Sequence, residues 1–462
     1  MNNHLAENRR KFSDYENLAL ADAEAGDDES LLEHATFGAL SAWDRHPGLF
    51  ASSVFENLLR DLGLRNQVNA SPEKSQNRQN RILHVLTQAY PIGGHTRVTW
   101  RWMQFDRENE HTVLLTDQSV VPVPEQLSEH ADKLIVLNSE TRMDRLAAIS
   151  GILANYDLIV LNIHPHDAVA VAACSAVPER PRTLLFNHAD HIFWLGISAA
   201  DGIINFRPSS VLLSEQRRSS RSQTSLLLPL PLDEPDLESS AGQALRVDLG
   251  IPANAPVTLL ISDEYKLIDD TGCRFVNLLR RLLIEHPNLH HIGIGQGPQS
   301  AYWSNFAQEF PTRVHLLGRT PSYTPSLLAA NIFLDSWPFS SITSALEAAC
   351  WGLPILSYAP GKPNPLRFDD LSVEPHWVTS DDEWIATAIA WSSNPALAVS
   401  IGKMMRSDCI AVHSQDAWTK RLRNLVEAPW KRSSVIDIPD PVPDDEVDEV
   451  VERLGRIRRE FS

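Results

Sequence analysis

The chain has 462 residues, more than one hydrophobic core usually serves, so two or three domains are expected. Hydrophobic residues make up 43% and charged residues 22%, too apolar a mix for a disordered chain. Asp plus Glu is 59 against Lys plus Arg 41, a net charge of -18 that argues against nucleic acid or an anionic membrane surface as the main partner. Cys174, Cys273, Cys350 and Cys409 are scattered without a CxxC pair, which indicates neither a disulfide framework nor a zinc knuckle. The N-terminus has no apolar core after its basic residues, and no apolar run approaches the roughly 18 to 20 residues of a membrane span. A cytoplasmic protein without a transmembrane segment is expected.

Residues 1–78 read as a separate helical region, with apolar residues at helical spacing over 30–62, interrupted at His46-Pro47-Gly48. A polar linker covers 71–80. Strand-like runs then begin at 81–86, 111–116, 133–138, 157–163, 182–187 and 201–206, with amphipathic or Ala-rich stretches between several of them. That alternation predicts a parallel sheet wrapped by helices over 79–215. Residues 216–245 break the pattern with Ser, Arg and Pro and are assigned to an interdomain connection. A second alternating block, with strands at 257–262, 290–295, 313–318, 331–336 and 354–359, predicts another such domain over 246–430. The acidic tail, 431–462, predicts a short charged helix after a Pro-rich linker, with Glu449/Arg453 and Glu452/Arg456 at i,i+4. The expected fold class is α/β, two Rossmann-like domains facing across a cleft, where ligands of such sheets bind.

The most informative segment is 331–357. A strand ends at Asp335 or Ser336, and a helix opens around Ser340–Thr343. Unpaired N–H groups and the positive end of the helix dipole suit a phosphate there, and Ser340, Ser341, Thr343 and Ser344 add hydroxyls. Glu347 shares the face of Thr343 and Ser344 one turn deeper, where a carboxylate can accept the hydroxyls of a ribose. Without further context, the same residues describe an ordinary capped helix with a solvated Glu347.

This segment resembles the donor-sugar motif of GT-B glycosyltransferases, most closely the O-GlcNAc transferase type and its bacterial adhesin-glycosylating relatives. The resemblance runs without gaps from Leu334-Asp335 to Gly352. It implies that Thr343 and Ser344 contact the nucleotide diphosphate and Glu347 the ribose. The family's small Gly-rich turn is Ser340-Ser341 here, Ile342 stands where a His is common, and the acid is Glu where other GT-B enzymes also carry one. Tyr265-Lys266, after strand 257–262, resembles the family's phosphate-contacting Lys, a cation matched to the charge that develops on a departing diphosphate. Gly295 and Gly297, in GIGQGP, form a turn expected to line the nucleotide pocket; no first strand and acidic partner of an NAD site accompany them.

The N-terminal half supplies the acceptor-side candidates. Gly93 and Gly94 let backbone approach a ligand, and His95 falls at or near the following helix start. His164 and His166 follow one strand, and His188, Asp190 and His191 follow the next. Asp190 is expected to orient His188 or His191 for general-base work, with His95 the preferred base by its position in the resembling family. HADH (188–191) offers three metal ligands, but zincin spacing is absent and the resembling enzymes do not usually depend on a metal, so neither metal nor cofactor is expected. The resulting expectation is a glycosyltransferase of hexosyltransferase type. It moves a sugar from a nucleotide-sugar donor, UDP-sugar by resemblance, to a hydroxyl or amide of an acceptor protein, glycan or small molecule by metal-independent displacement. The alternatives are a catalytically inactive GT-B-like partner or stabilising subunit, and a nucleotide-sugar isomerase.

Overall fold

A computed structural model describes residues 3–68, 80–91, 94–118, 122–139, 141–218, 224–269, 272–297, 300–320, 322–359, 376–430 and 445–461. They divide into two compact units, Met1–Pro231 with Thr419–Arg456, and Leu232–Trp418 with Ile457–Ser462.

The first unit opens with α1 (Asn3–Ala25), α2 (Asp28–Asp44) and α3 (Ser53–Arg65). Asp27 and Ser52 cap α2 and α3 by accepting backbone N–H bonds from Ser30 and Phe55. There follow β1 (Arg81–Leu86), α4 (Gly94–Phe105), β2 (Glu110–Leu115), α5 (Glu125–His130), β3 (Lys133–Val136), α6 (Arg142–Leu153) and β4 (Leu158–Asn162). The unit continues through α7 (Ala168–Ser175), β5 (Arg182–Asn187), β6 (Gly202–Asn205), α8 (Pro208–Arg218) and β7 (Thr224–Leu227). All pairings are parallel, in the order β3-β2-β1-β4-β5-β6-β7.

The second unit runs through α9 (Ala241–Asp248), β8 (Val257–Ile261), a 3-10 turn (Glu264–Leu267), α10 (Arg274–Glu285), β9 (His290–Ile294), α11 (Ala301–Glu309), β10 (Val314–Gly318) and α12 (Thr324–Ala329). Then come β11 (Ile332–Leu334), α13 (Ile342–Cys350), β12 (Ile355–Tyr358), β13 (His376–Val378), α14 (Asp381–Ser393) and α15 (Pro395–His413). Its parallel sheet is ordered β10-β9-β8-β11-β12-β13. After it come α16 (Gln415–Glu427) and α17 (Asp445–Phe461).

Both sheets therefore run outward from their first strand in one direction and then reverse. The reversal falls between β1 and β4 in one unit and between β8 and β11 in the other. Crossovers leave such a point on opposite faces of the sheet, which opens a crevice beyond the strand carboxyl ends. The expected strands are all present. β7 and β13 are additions that the sequence reading did not anticipate.

The N-terminal helices depart from the expectation of a separate region. Phe12, Leu31, Phe55, Leu59 and Leu62 lie in one buried core with Leu83, Ile159 and Leu185 of the sheet. Gly63 shows how closely α3 meets α7, since a Cβ there would lie 2.3 Å from the Ala172 carbonyl oxygen. Buried Glu56 of α3 accepts backbone N–H bonds from Gly196 (2.7 Å), Ile197 (3.1 Å) and Ser198 (2.8 Å). Burial raises its pKa against the pull of those bonds.

The chain's end also rejoins this unit. Arg182 donates to the Leu425 carbonyl at the end of α16 (2.9 Å), and buried Asp448 of α17 lies 2.8 Å from Nε2 of buried His46. Boundaries drawn at 78, 215, 245 and 430 thus differ from those of the compact units. Residues 216–245 are likewise not simply a connection, because they complete α8 and contribute β7 to the first sheet.

Candidate functional site

In the second unit, the candidates gather beyond β8 and β11, at the point where strand order reverses. Asp335, just past β11, is buried and organises the chain that leads into α13. Its Oδ1 accepts from the Ser340 hydroxyl (2.9 Å) and the Ser341 N–H (3.3 Å), and its Oδ2 from the Ser357 hydroxyl (3.3 Å). Burial pushes this carboxyl up to about 6, with the hydrogen bonds and Lys266 opposing. The Ser336 hydroxyl donates to the Phe339 carbonyl (2.6 Å) and lies 3.0 Å from that of Ser341. Ser341, expected to face donor, is therefore buried and engaged within the turn. Thr343 and Ser344 are half-buried in the first turn of α13, and their hydroxyls have no hydrogen-bond partner among the described residues. They are the available donors at this helix start.

Lys266 closes the 3-10 turn after β8, where its carbonyl accepts the Phe339 N–H (3.2 Å). Its Nζ stands 4.7 Å from the centre of the Phe339 ring and makes no ion pair among the described residues. Burial lowers its pKa, while Asp263 and Asp335 oppose that effect. Tyr265 packs edge-on against the same ring at 6.2 Å, and its phenol is pushed up to about 12 by burial. Gly295 has φ 93°, and a Cβ there would lie 2.2 Å from the Ser262 carbonyl oxygen, so the turn after β9 requires glycine. Gly297 accepts the Ser300 N–H at 3.1 Å just before α11. Glu347 is buried and accepts a hydrogen bond from the Tyr323 hydroxyl, a partner the sequence reading did not foresee.

In the first unit, the equivalent reversal lies beyond β1 and β4. Asp167 does here what Asp335 does in the other sheet. Its Oδ2 accepts from Thr87 (2.7 Å) and Thr116 (2.9 Å), and its Oδ1 caps α7 through the Ala170 N–H (3.0 Å). Thr87 in turn accepts the His164 N–H at 2.8 Å. His95, in the first turn of α4, stacks on His188 (5.5 Å between ring centres) and meets His164 edge-on (5.7 Å). Three loops thus deliver three imidazoles to one place.

His95 Nε2 lies 3.0 Å from the Gln88 carbonyl oxygen, an acceptor only. The proton therefore sits on Nε2, and Nδ1 carries the lone pair. His188 is fixed in the opposite sense, with Nδ1 3.3 Å from the Phe186 carbonyl. Burial lowers all three pKa values, and neighbouring imidazoles help to take His164 and His188 down to about 3. Those two are neutral and weakly basic near pH 7. His166, lowered by burial, touches His164 and stacks on Trp43 of α2.

Asp190 does not orient His188. Its Oδ2 receives Arg207 through Nε (3.0 Å) and Nη2 (2.7 Å) as well as Ser210, while His191 Nδ1 stands 3.7 Å from Oδ1. Burial would raise this carboxyl, but the Arg207 guanidinium, His191 and the Ser210 hydroxyl together override it and hold the group well below the usual carboxylate range. Arg218, buried beside Trp194, donates to the Ile192 carbonyl and so grips the same loop. This loop's acid is an anchor. His191 stands beside Asp190, and its charge also acts on His188. Gly94 begins α4, and Gly93 lies outside the described residues. Among the described residues, no set of three His, Cys, Asp or Glu side chains is placed to hold a metal ion, and no helix is long and apolar enough to cross a membrane.

Tandem parallel sheets of this order, each with its polar residues at the reversal point, define the GT-B fold, and the chain has that fold. Among solved structures it is similar to Anabaena HepE in complex with UDP and glucose, at 15% identity over 75% of this chain and 99% of that one (TM-score 0.58). It is similar to an O-GlcNAc transferase mutant from Thermobaculum terrenum, at 14% identity over 97% of this chain and 85% of that one (TM-score 0.54). A glycosyltransferase from Rickettsia africae matches at 11% identity over 76% and 98% (TM-score 0.60). No protein-family model matches the chain, and no curated protein matches it in sequence.

Proposed function

We propose that this protein is a glycosyltransferase that takes a sugar from a nucleotide-sugar donor, with UDP-sugar the preferred class, and passes it to an acceptor hydroxyl without a metal or other cofactor. The observation that carries the reading is Lys266 beside Phe339 without an ion-pair partner among the described residues, together with the unbonded hydroxyls of Thr343 and Ser344 at the start of α13. Cations and helix-start donors stabilise the charge that grows on a departing diphosphate. Glu347, steadied by Tyr323, takes the ribose hydroxyls. UDP as the nucleotide is supported by HepE, whose solved complexes hold UDP and glucose.

In this reading His95 is the general base. Its Nδ1 lone pair receives the acceptor's proton as the new C–O bond forms and the bond to the diphosphate breaks. The donor assignment is tested by calorimetric titration with UDP. Lys266→Ala should weaken binding by about 1 to 3 kcal/mol, the range of charge-assisted hydrogen bonds. Wild-type affinity in that variant overturns the assignment.

A further inference from the structure

The first unit carries a row of rings that no step above uses. Trp43 stacks on His166 (5.7 Å between centres, 22° between planes), His166 touches His164 (5.4 Å), and His164 stacks on Tyr90 (5.9 Å, 7°). All four are half-buried, each with part of its surface open, and the row ends against His95, 6.0 Å from Tyr90. Trp43 comes from α2, so the N-terminal helices build one end of it.

We propose that this row is the platform for the acceptor and that its occupant is a neutral oligosaccharide, an inference that rests on the glycosyl-transfer reading.

Sugar rings present apolar C–H faces that lie against aromatic surface, with hydroxyls around their edges that need both donors and acceptors. The imidazoles suit hydroxyls because each neutral ring offers one N–H and one lone pair. Burial holds them in that neutral form, His164 near 3 and His166 lowered. An anionic chain is disfavoured, since Asp44, Asp117 and Asp167 are close enough for their charges to act on His166. Arg145, which pairs with Asp117 at 2.9 Å, is the cation that partly offsets them. The row ends at His95, the base of the glycosyl-transfer reading, so an oligosaccharide lying along it brings its end to that histidine.

The test uses the full chain and saturation-transfer NMR with tetrasaccharides of glucose, galactose, mannose and N-acetylglucosamine, set against a tetrauronate and a Ser/Thr peptide. At least one neutral tetrasaccharide should bind. Trp43→Leu, which keeps apolar volume but removes the ring face, should weaken it at least tenfold, and Trp43→Phe should stay within about threefold of wild type. The Phe variant also guards against a Leu variant that fails to fold. The proposal is overturned if no neutral tetrasaccharide binds, if Trp43→Leu binds as wild type does, or if the uronate or the peptide binds in preference. UDP titration on the same samples separates the two readings. UDP binding without tetrasaccharide binding sinks the platform alone, whereas tetrasaccharide binding without UDP binding sinks the donor assignment alone.

Discussion

The two sheets share one strand order and one device at the reversal point, yet their chemistry there is opposite. In each, a buried aspartate gathers neighbouring hydroxyls and a helix start: Asp167 with Thr87, Thr116 and α7, and Asp335 with Ser340, Ser357 and the approach to α13. Near Asp335 stand the Lys266 cation and, at the start of α13, the half-buried hydroxyls of Thr343 and Ser344. Around Asp167 stand imidazoles that burial keeps neutral. The scaffold is shared, and the side chains mounted on it differ in charge and chemistry.

The largest effect expected from breaking that division is at His95. His95→Ala should lower turnover roughly 10²- to 10⁴-fold while UDP affinity in the same preparation stays at wild-type level. Near-full turnover in the variant would move the base elsewhere.

Glu56→Ala should destabilise the first unit by on the order of 3 kcal/mol, because three backbone N–H groups lose their buried acceptor. Chemical denaturation measures this, and an unchanged midpoint would mean that α3 does not brace the 196–198 loop.

Asp335 sets the corresponding expectation in the second unit. Its carboxyl, raised from 3.8 to about 6, is protonated when folded and ionised when unfolded at pH values between those two. Folding takes up a proton there, so stability should fall as pH rises through that window, by ~3 kcal/mol at most. In Asp335→Asn that part of the pH dependence should vanish from denaturation curves. Persistence of the same slope would assign it to another group.

The smallest effect concerns Tyr323. Tyr323→Phe removes the hydroxyl that Glu347 accepts and should weaken UDP by about 0.5 to 1.5 kcal/mol, the range for one hydrogen bond. If Glu347 holds the ribose, 2′-deoxy-UDP should lose less affinity in the variant than UDP does. Equal losses for the two nucleotides would detach Tyr323 from the ribose.

Much of the second unit's site was legible in the sequence because it is local. The spacing of Thr343, Ser344 and Glu347 is a helical spacing, and a helix presents such residues on one face wherever it is packed. Lys266 follows within a few residues of the end of an apolar strand run, so its place beyond the strand end needed no tertiary information. Alternating runs of about five residues likewise announced both parallel sheets, since a strand buried on both faces is apolar throughout. What those residues could not reveal was their partners. Tyr323 reaches Glu347 from the start of α12, and Phe339 reaches Lys266 from the turn before α13, through packing that no spacing encodes.

In the first unit the tertiary structure decided more. The histidines were visible as candidates, but only the sheet order brings the loops after β1, β4 and β5 together. Asp190 was matched to the nearest histidines in sequence, whereas the fold supplies Arg207, a stronger partner for a buried carboxylate because it carries a permanent charge and a forked donor pair. The N-terminal helices looked separate because a polar stretch follows them. Their apolar faces were equally suited to a core of their own or to the first sheet, and composition does not distinguish the two. Burial of Phe12, Phe55 and Leu62 with the strands, and the arrival of Trp43 beside His166, are choices made by packing. The sequence by itself determined what each segment is and which chemistry it carries; the packing of distant segments decided which groups meet, because contact energies between them exist only once the chain has closed the loops that separate them.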